Sequence, residues 1–107
     1  MTYRVTVVEA AELDLYEIHL YVESNDSPKR ADELLGGLER AVASLAEMPE
    51  RGHFPPELER IGIREYREIQ FKPYRIVYTI HGDTVIVHCI SDGRRDTQSL
   101  LQHRLLR

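Results

Sequence analysis

The spacing of hydrophobic residues changes from alternating to helical and back again along this chain, and that order limits the fold more than any other feature. Apolar and polar residues alternate over Tyr3–Val8, which predicts a first strand. From Glu9 an apolar stripe recurs at helical spacing. Its members are Ala11, Leu15, Ile18 and Val22. The polar run Ser24-Asn25-Asp26 is expected to end this first helix.

A second helix is predicted to begin at Pro28, because Ser27 can cap it and proline is favoured at the first helical position. It ends before Pro49. Its apolar face consists of Ala31, Leu34, Leu35, Leu38, Val42 and Leu45. The pair Gly36-Gly37 weakens this helix, and either close approach of the first helix or simple tolerance of the two glycines would explain it. The two helices are expected to form an antiparallel hairpin.

Strand signals follow in the second half of the chain. A loop is predicted over Glu50–Gly62, which is rich in glycine and proline. Three strands are predicted at Ile63–Phe71, Tyr74–His81 and Thr84–Ile90. The last two are joined by a tight turn at Gly82-Asp83. The strand Thr84–Ile90 carries apolar residues on both faces, so a central position in the sheet is expected.

A short final helix is predicted over Asp96–Leu106, which completes the order β-α-α-β-β-β-α. Its apolar contacts are expected to be Leu100, Leu101, Leu105 and Leu106. This order predicts an α+β fold with a helical hairpin packed on a small, mostly antiparallel sheet. The chain has 107 residues, so residues 1–107 are interpreted as a single domain.

Composition excludes several classes of function. Neither a signal peptide nor an apolar run long enough to cross a membrane is apparent, and Cys89 is the single cysteine, so we expect a cytoplasmic protein. Phosphate-binding glycine loops are absent, and the five histidines lack metal-ligand spacing. The sequence therefore predicts neither a metal site nor a cofactor, and no conventional hydrolase.

Charge is distributed unevenly along the chain. Residues 1–59 carry 13 acidic and 5 basic residues, whereas residues 60–107 carry 5 acidic and 9 basic ones. The net charge is −4, which disfavours sequence-specific binding of nucleic acid by the chain alone. A basic surface in the second half would attract acidic groups of a partner.

Arginines on the predicted strands and after the last strand are the candidate functional residues. They include Arg64, Arg67 and Arg75, with Lys72, and the pair Arg94-Arg95. Two converging guanidinium groups bind phosphate or carboxylate well, because each donates paired hydrogen bonds. The alternative is that they pair with carboxylates of the chain itself, and the candidates are Asp92, Asp96, Glu65 and Glu68.

Several short motifs resemble the RelE/ParE superfamily of bacterial toxins, and together they cover nearly the whole chain in the right order. They are Pro73-Tyr74-Arg75-Ile76-Val77-Tyr78, the Gly82-Asp83 turn, Ile90-Ser91-Asp92-Gly93-Arg94-Arg95-Asp96, the helical set Ala11, Asp14, Leu15 and Ile18, and Met48-Pro49 with Gly52. Segments Pro56-Glu57-Leu58 and Arg64-Glu65-Tyr66 resemble the plasmid-stabilisation members. The resemblance implies the toxin half of a type II toxin–antitoxin system.

The superfamily contains two activities, and particular positions separate them. RelE-type toxins cut mRNA in the ribosomal A site, and their pattern has two lysines on the strand before the Tyr-Arg-Ile-Val-Tyr strand. Those positions hold Tyr66 and Glu68 here, and the C-terminal tyrosine of the pattern falls at Leu101. Two arginines of the pattern match Arg75 and Arg95. A carboxylate at position 68 opposes phosphoryl chemistry, which concentrates negative charge in the transition state.

The resemblance is therefore closer to ParE-type toxins, which poison DNA gyrase by binding rather than by cutting RNA. It implies no catalytic residue and a cognate antitoxin whose acidic, hydrophobic tail folds over the toxin. The candidate residues for contacts with target or antitoxin are Arg75, Arg94, Arg95, Arg67 and Leu101. Two alternatives stay open: a ribosome-dependent ribonuclease that uses His103 or Tyr66, and a non-toxic member that only binds an antitoxin.

Overall fold

A computed structural model describes residues 2–106 and shows a four-stranded sheet with helices on both faces. The elements are β1 (Arg4–Val7), α1 (Glu9–Asn25), α2 (Pro28–Ser44), α3 (Pro56–Glu59), β2 (Arg67–Phe71), β3 (Tyr74–His81), β4 (Thr84–Asp92) and α4 (Thr97–Leu105), with a 3-10 turn at Pro49–Arg51. No helix within residues 2–106 is both long and apolar enough to span a membrane.

The sheet has the strand order β1-β4-β3-β2. β1 runs parallel to β4, whereas the other two pairs are antiparallel. The turn between β3 and β4 includes Gly82 at a φ of 61°, a conformation that glycine adopts without steric cost. The central position predicted for β4 is confirmed. Within β4, His88 is an extra residue between the pairs Val77–Cys89 and Tyr78–Val87, which makes a β-bulge.

Two separate hydrophobic cores cover the two faces of the sheet. The first lies under α1 and α2 and includes Leu38, Ile76 and Tyr78. The second lies under α3 and α4 and contains Leu58, Val77, Cys89 and Leu101. Side chains alternate between these cores along β3. The predicted α+β fold is confirmed, and so are the helical hairpin and the short final helix.

The loop and strand boundaries before β2 differ from those predicted. The strand expected at Ile63–Phe71 begins only at Arg67. Ile63 and Tyr66 contribute their side chains to the second core without joining the ladder, which explains the strand-like pattern. The segment predicted as the loop Glu50–Gly62 contains α3, which begins at Pro56 because proline fits the first turn of a helix.

The first helix, the last strand and the last helix are joined by one cluster of polar contacts. Both guanidinium Nη atoms of Arg104 in α4 donate to the Asp14 carboxylate in α1, at 3.1 Å each. Asp14 also accepts from the backbone N–H of Ile90 at 2.9 Å. Arg104 Nη2 donates to the carbonyl of His88 at 2.9 Å. The side chains of both charged residues are largely buried.

The two glycines inside α2 have different explanations: at Gly37 the close neighbour is Phe71 of β2 and not the first helix, whereas Gly36 is only tolerated. A Cβ atom on Gly37 would overlap the Phe71 ring, with Cε2 at 2.9 Å. A Cβ atom on Gly36 would meet only the flexible end of Arg40, at 3.2 Å from Nη1. Only Gly37 is therefore required for packing.

The two glycines are a matched pair for mutagenesis. Gly37→Ala is expected to lower the free energy of unfolding by about 1 kcal/mol net, because overpacking costs roughly 1–3 kcal/mol and helix propensity returns about 1 kcal/mol. Gly36→Ala is expected to raise it by up to about 1 kcal/mol, because the Arg40 side chain can move aside. Urea denaturation of both variants measures the difference. Equal effects at the two positions would contradict the role given to Phe71.

Candidate functional site

Arg75 lies at the centre of a buried ion-pair cluster on the sheet face that carries the second core. Its Nε donates to Glu68 at 2.6 Å, and its Nη atoms donate to both oxygens of Glu57, at 2.7 and 2.8 Å. The second carboxylate oxygen of Glu68 is hydrogen-bonded to His53 Nε2 at 2.8 Å. β2 and β3 supply Glu68 and Arg75, whereas Glu57 comes from α3 and His53 from the preceding loop.

This arrangement saturates the Arg75 guanidinium with carboxylates. Glu68 is only 1% exposed and Arg75 only 8%. The Arg75 guanidinium holds the pKa of Glu57 below its usual range, and the Glu57 and Glu68 carboxylates raise the pKa of Arg75 above its usual range. Two carboxylates outnumber the one guanidinium in the cluster, so it does not favour binding of an anion. Of the two interpretations left open by the sequence, pairing within the chain holds for Arg75.

Arg94 and Arg95 lie together at the edge of a cavity of about 480 Å³ between α1 and the end of β4. The apolar side chains lining it are Ile18, Tyr21, Tyr74 and Ile90. Arg94 donates twice to Asp92, from Nε at 2.9 Å and from Nη2 at 2.6 Å, and this pairing lowers the pKa of Asp92. Arg95 is exposed and makes no salt bridge within residues 2–106. We call this cavity and its two arginines the Arg94–Arg95 cavity.

The remaining predicted residues do not join that cavity. Arg67 donates to the carbonyl of Gly52 at 3.0 Å and lies over the Phe54 ring at 5.1 Å. Arg67 lies opposite Tyr78 in the β2–β3 ladder, and residues paired in this way have side chains on the same face of the sheet. Its side chain is therefore on the face of the first core, whereas that of Arg75 is on the other face. Leu101 is fully buried in the second core and offers no surface to a partner in this conformation. Arg94 also borders a neighbouring cavity that Arg75 lines.

The positions aligned with the ribonuclease pattern hold structural side chains. Tyr66 packs on the second core, with its ring edge-on to His88 at 5.5 Å between centroids. Glu68 is bonded to Arg75, and Leu101 fills the core. His103, the histidine considered as a substitute, lies on the exposed side of α4.

Sequence reasoning missed three residues that organise these sites. Glu57 and His53 lie in a segment predicted to be loop, and spacing along the chain does not show which side chains a loop brings to a strand. Asp14 had a usable signal, because it is a carboxylate on the inward side of an otherwise apolar helix stripe. Its partner Arg104 lies 90 residues away, so pairing required the fold.

Solved toxin structures share this architecture at low sequence identity. A chain of the chromosomal ParDE toxin–antitoxin system of Pseudomonas aeruginosa matches with a TM-score of 0.72 and 15% identity, covering 85% of this chain and 96% of its own. A variant of the Escherichia coli toxin RelE in the free state matches with a TM-score of 0.66 and 16% identity, covering 100% and 98%. A RelBE toxin–antitoxin complex of Mycobacterium tuberculosis matches with a TM-score of 0.57 and 19% identity, covering 86% and 92%.

These likenesses establish the shared fold, which both branches of the superfamily possess. No curated protein sequence matches the chain significantly. The family assignment comes from a sequence family instead. The model of the ParE toxin of the type II toxin–antitoxin system parDE matches residues 5–97, from the second residue of β1 to the first residue of α4. The chain therefore belongs to the ParE toxin family of type II toxin–antitoxin systems.

Proposed function

We propose that this toxin acts by binding its target and not by cutting RNA, and that the target is DNA gyrase. The observation that carries the proposal is the Arg75 cluster. Where a ribonuclease needs cations around the scissile phosphate, this sheet face has Glu57 and Glu68, and both are bonded to the one arginine. Membership of the ParE family supports gyrase as the target.

A cognate antitoxin is the second partner in this proposal, and the Arg94–Arg95 cavity is the site that suits it. The cavity combines an apolar lining with an exposed cation, Arg95, at its edge. A hydrophobic side chain of the antitoxin would fill the cavity, and a neighbouring carboxylate would pair with Arg95. Toxin–antitoxin complexes among the structures of the same fold support a protein partner of this kind.

Induction of the chain alone in bacteria tests the mode of action, with two readouts from one culture. Gyrase-cleaved DNA and the DNA-damage response measure gyrase poisoning. Mapping of mRNA ends measures ribosome-positioned cutting. DNA damage with intact mRNA is the expected result, and co-expression of the antitoxin is expected to abolish it.

Two results would contradict the proposal. Cut mRNA without DNA damage would show that the chain is a ribonuclease. Normal growth, with soluble and folded toxin verified in the same cells, would show that the chain is a non-toxic member whose role is antitoxin binding.

A ribonuclease is the second candidate, and one observation favours it. The His53 imidazole is hydrogen-bonded through Nε2 to the buried Glu68 carboxylate, which leaves its Nδ1 atom available to accept a proton. A histidine oriented by a carboxylate is a common general base. If mRNA is cut, His53→Ala is expected to abolish the cutting, whereas His103→Ala, on the exposed side of α4, is the matched control.

Antitoxin binding is expected to depend on Arg95. Arg95→Glu is expected to weaken the complex about tenfold, roughly 1.4 kcal/mol, because it replaces an attraction to an acidic partner by a repulsion. Arg4→Glu is the control, since Arg4 is an exposed arginine paired with Thr84 at the opposite end of β4. Calorimetric titration at low and high salt measures both. Equal affinities of the two variants would place the antitoxin elsewhere.

A further inference from the structure

Helix α1 has a second apolar stripe that the sheet does not use. Leu13, Tyr16 and Leu20 are spaced three and four residues apart, which places them on one side of the helix. Their exposed fractions are 53%, 59% and 40%. The stripe that packs on the first core lies on the opposite side and includes Ala11 and Ile18. A helix that only covered a sheet would have polar residues on its outer side.

A groove between α1 and α2 continues this outer stripe. It has a volume of about 420 Å³ and shares Tyr16 with the stripe. Its apolar lining is formed by Val7, Leu15, Leu35 and Val42, and its polar lining by Glu12, His19 and Glu39. We call the stripe and this groove together the α1 outer surface. Side chains of an incoming helix could therefore lie along the stripe and enter the groove beside it.

The charge of α1 decides what kind of partner this surface accepts. Between Glu9 and Asn25 the helix carries five acidic residues and neither lysine nor arginine. Asp14 is neutralised by Arg104. The other four are Glu9, Glu12, Glu17 and Glu23, all exposed, and none makes a salt bridge within the described chain. An acidic segment is repelled here, and a second copy of α1 would bring acids against acids.

We propose that the α1 outer surface docks a partner protein through an amphipathic helix with lysine or arginine at the borders of its apolar face. Apolar residues of that helix contact Leu13, Tyr16 and Leu20, and its basic residues lie opposite the exposed glutamates. The apolar stripe and its groove do not line the Arg94–Arg95 cavity, although Glu17 borders that cavity, whose exposed Arg95 provides the cation for an acidic group. The toxin can therefore hold a basic and an acidic partner segment at different places. The proposal does not depend on the identity of the target or on the mode of toxicity.

A pair of synthetic helical peptides tests this proposal on the full chain. Both are about 16 residues long, with leucines at i, i+3, i+4 and i+7 positions, and one has lysines where the other has glutamates. NMR titration of the isotope-labelled toxin measures binding and location. The lysine peptide is expected to shift the amides of Leu13, Tyr16 and Leu20, and to bind about tenfold more tightly than the glutamate peptide. Its affinity is expected to fall with added salt.

Surface variants provide the matched control. Leu13→Gln combined with Leu20→Gln is expected to weaken the lysine peptide about tenfold or more. Met48→Gln combined with Ile61→Gln removes two apolar residues of similar exposure from other parts of the surface and is expected to have no effect. Thermal unfolding of both double variants confirms that each is folded before the titration.

Several results would overturn the proposal. They are equal binding of the two peptides, shifts confined to residues 60–107, no binding of the lysine peptide, or equal effects of the two double variants. Sedimentation that reveals a dimer broken by Leu20→Gln would assign the surface to a second copy of the chain and would overturn it as well.

Discussion

Replacing Arg75 with methionine is expected to lower the free energy of unfolding by about 3–5 kcal/mol, because the substitution leaves Glu68 and Glu57 as partly or fully buried charges without a cation. Small domains have only about 5–15 kcal/mol of total stability, so much of the protein is expected to unfold near body temperature. Urea denaturation measures the loss. The same substitution at Arg64, whose pair with Glu59 is exposed, is expected to cost less than about 1 kcal/mol.

The pH dependence of the free energy of unfolding distinguishes this electrostatic effect from a simple loss of packing. The pKa of Glu57 is lowered in the folded chain, so its ionised form contributes stability that is complete above about pH 4.5 and is lost as the pH falls below that value. In Arg75→Met the attraction is gone, and protonating Glu57 removes an unpaired charge. The difference in stability between the two proteins is therefore expected to shrink as the pH falls through 4.5. A constant difference across this range would contradict the assigned cause.

A rescue variant completes the test of the Arg75 cluster. Changing Glu57 and Glu68 to glutamine in the Arg75→Met background removes all three charges together. Stability is expected to recover by at least half, because a deleted charge network costs less than a broken one. A variant that replaced Arg75 and Arg95 together would consequently be a poor probe of antitoxin binding, because Arg75 maintains the fold.

Leu101→Ala is expected to destabilise the toxin by about 2–5 kcal/mol, because the leucine is fully buried against Leu58, Val77 and Cys89 in the second core. Denaturation measures the loss, and hydrogen exchange is expected to be fastest in α4. Gln102→Ala, at the exposed neighbouring position, is the control and is expected to change stability by less than about 0.5 kcal/mol.

A conservative replacement at the same position distinguishes a core residue from a contact residue. Leu101→Met keeps the side-chain volume and is expected to cost less than about 1.5 kcal/mol while leaving partner binding intact. Stable, folded Leu101→Ala protein that has lost antitoxin binding would contradict the core assignment and return Leu101 to the surface contacts predicted from the sequence.

The types of the helices and strands, and their order, could be predicted from the sequence. They depend on the spacing of hydrophobic residues and on local residues that begin or end helices and turns. Ser27-Pro28 starts α2, and the predicted cap is present, with the Ser27 hydroxyl accepting from the Arg30 N–H at 3.1 Å. Gly82 likewise forms the expected hairpin turn. The predicted strand boundary was wrong where an apolar residue packs in a core without belonging to a strand, as Ile63 does.

The candidate site was harder to predict, because its residues meet through tertiary structure. The arginines could be selected as candidate site residues from their charge, but whether each one maintains the fold or contacts a partner depends on how buried it is. The Arg75 side chain lies on the sheet face that is covered by the second core, where Glu57 and Glu68 occupy its hydrogen-bond donors. Arg95 follows the end of β4 and is exposed. The Glu68–Arg75 pair was among the alternatives considered from the sequence. Glu57, which accepts two of the three hydrogen bonds from Arg75, lies in α3, within a segment predicted to be a loop and therefore not positioned by local patterns.

The contacts of Asp14 and Arg104 also protect the sheet from unwanted association. β1 pairs with β4 only as far as Val87, so within residues 2–106 the rest of β4 has no strand on that side. Asp14 occupies the N–H of Ile90, and Arg104 occupies the carbonyl of His88, two backbone groups on this bare margin. Uncovered strand margins recruit strands of other molecules and promote aggregation. In the toxin without its antitoxin, Asp14 and Arg104 therefore make these two backbone groups unavailable for edge-to-edge pairing with another molecule.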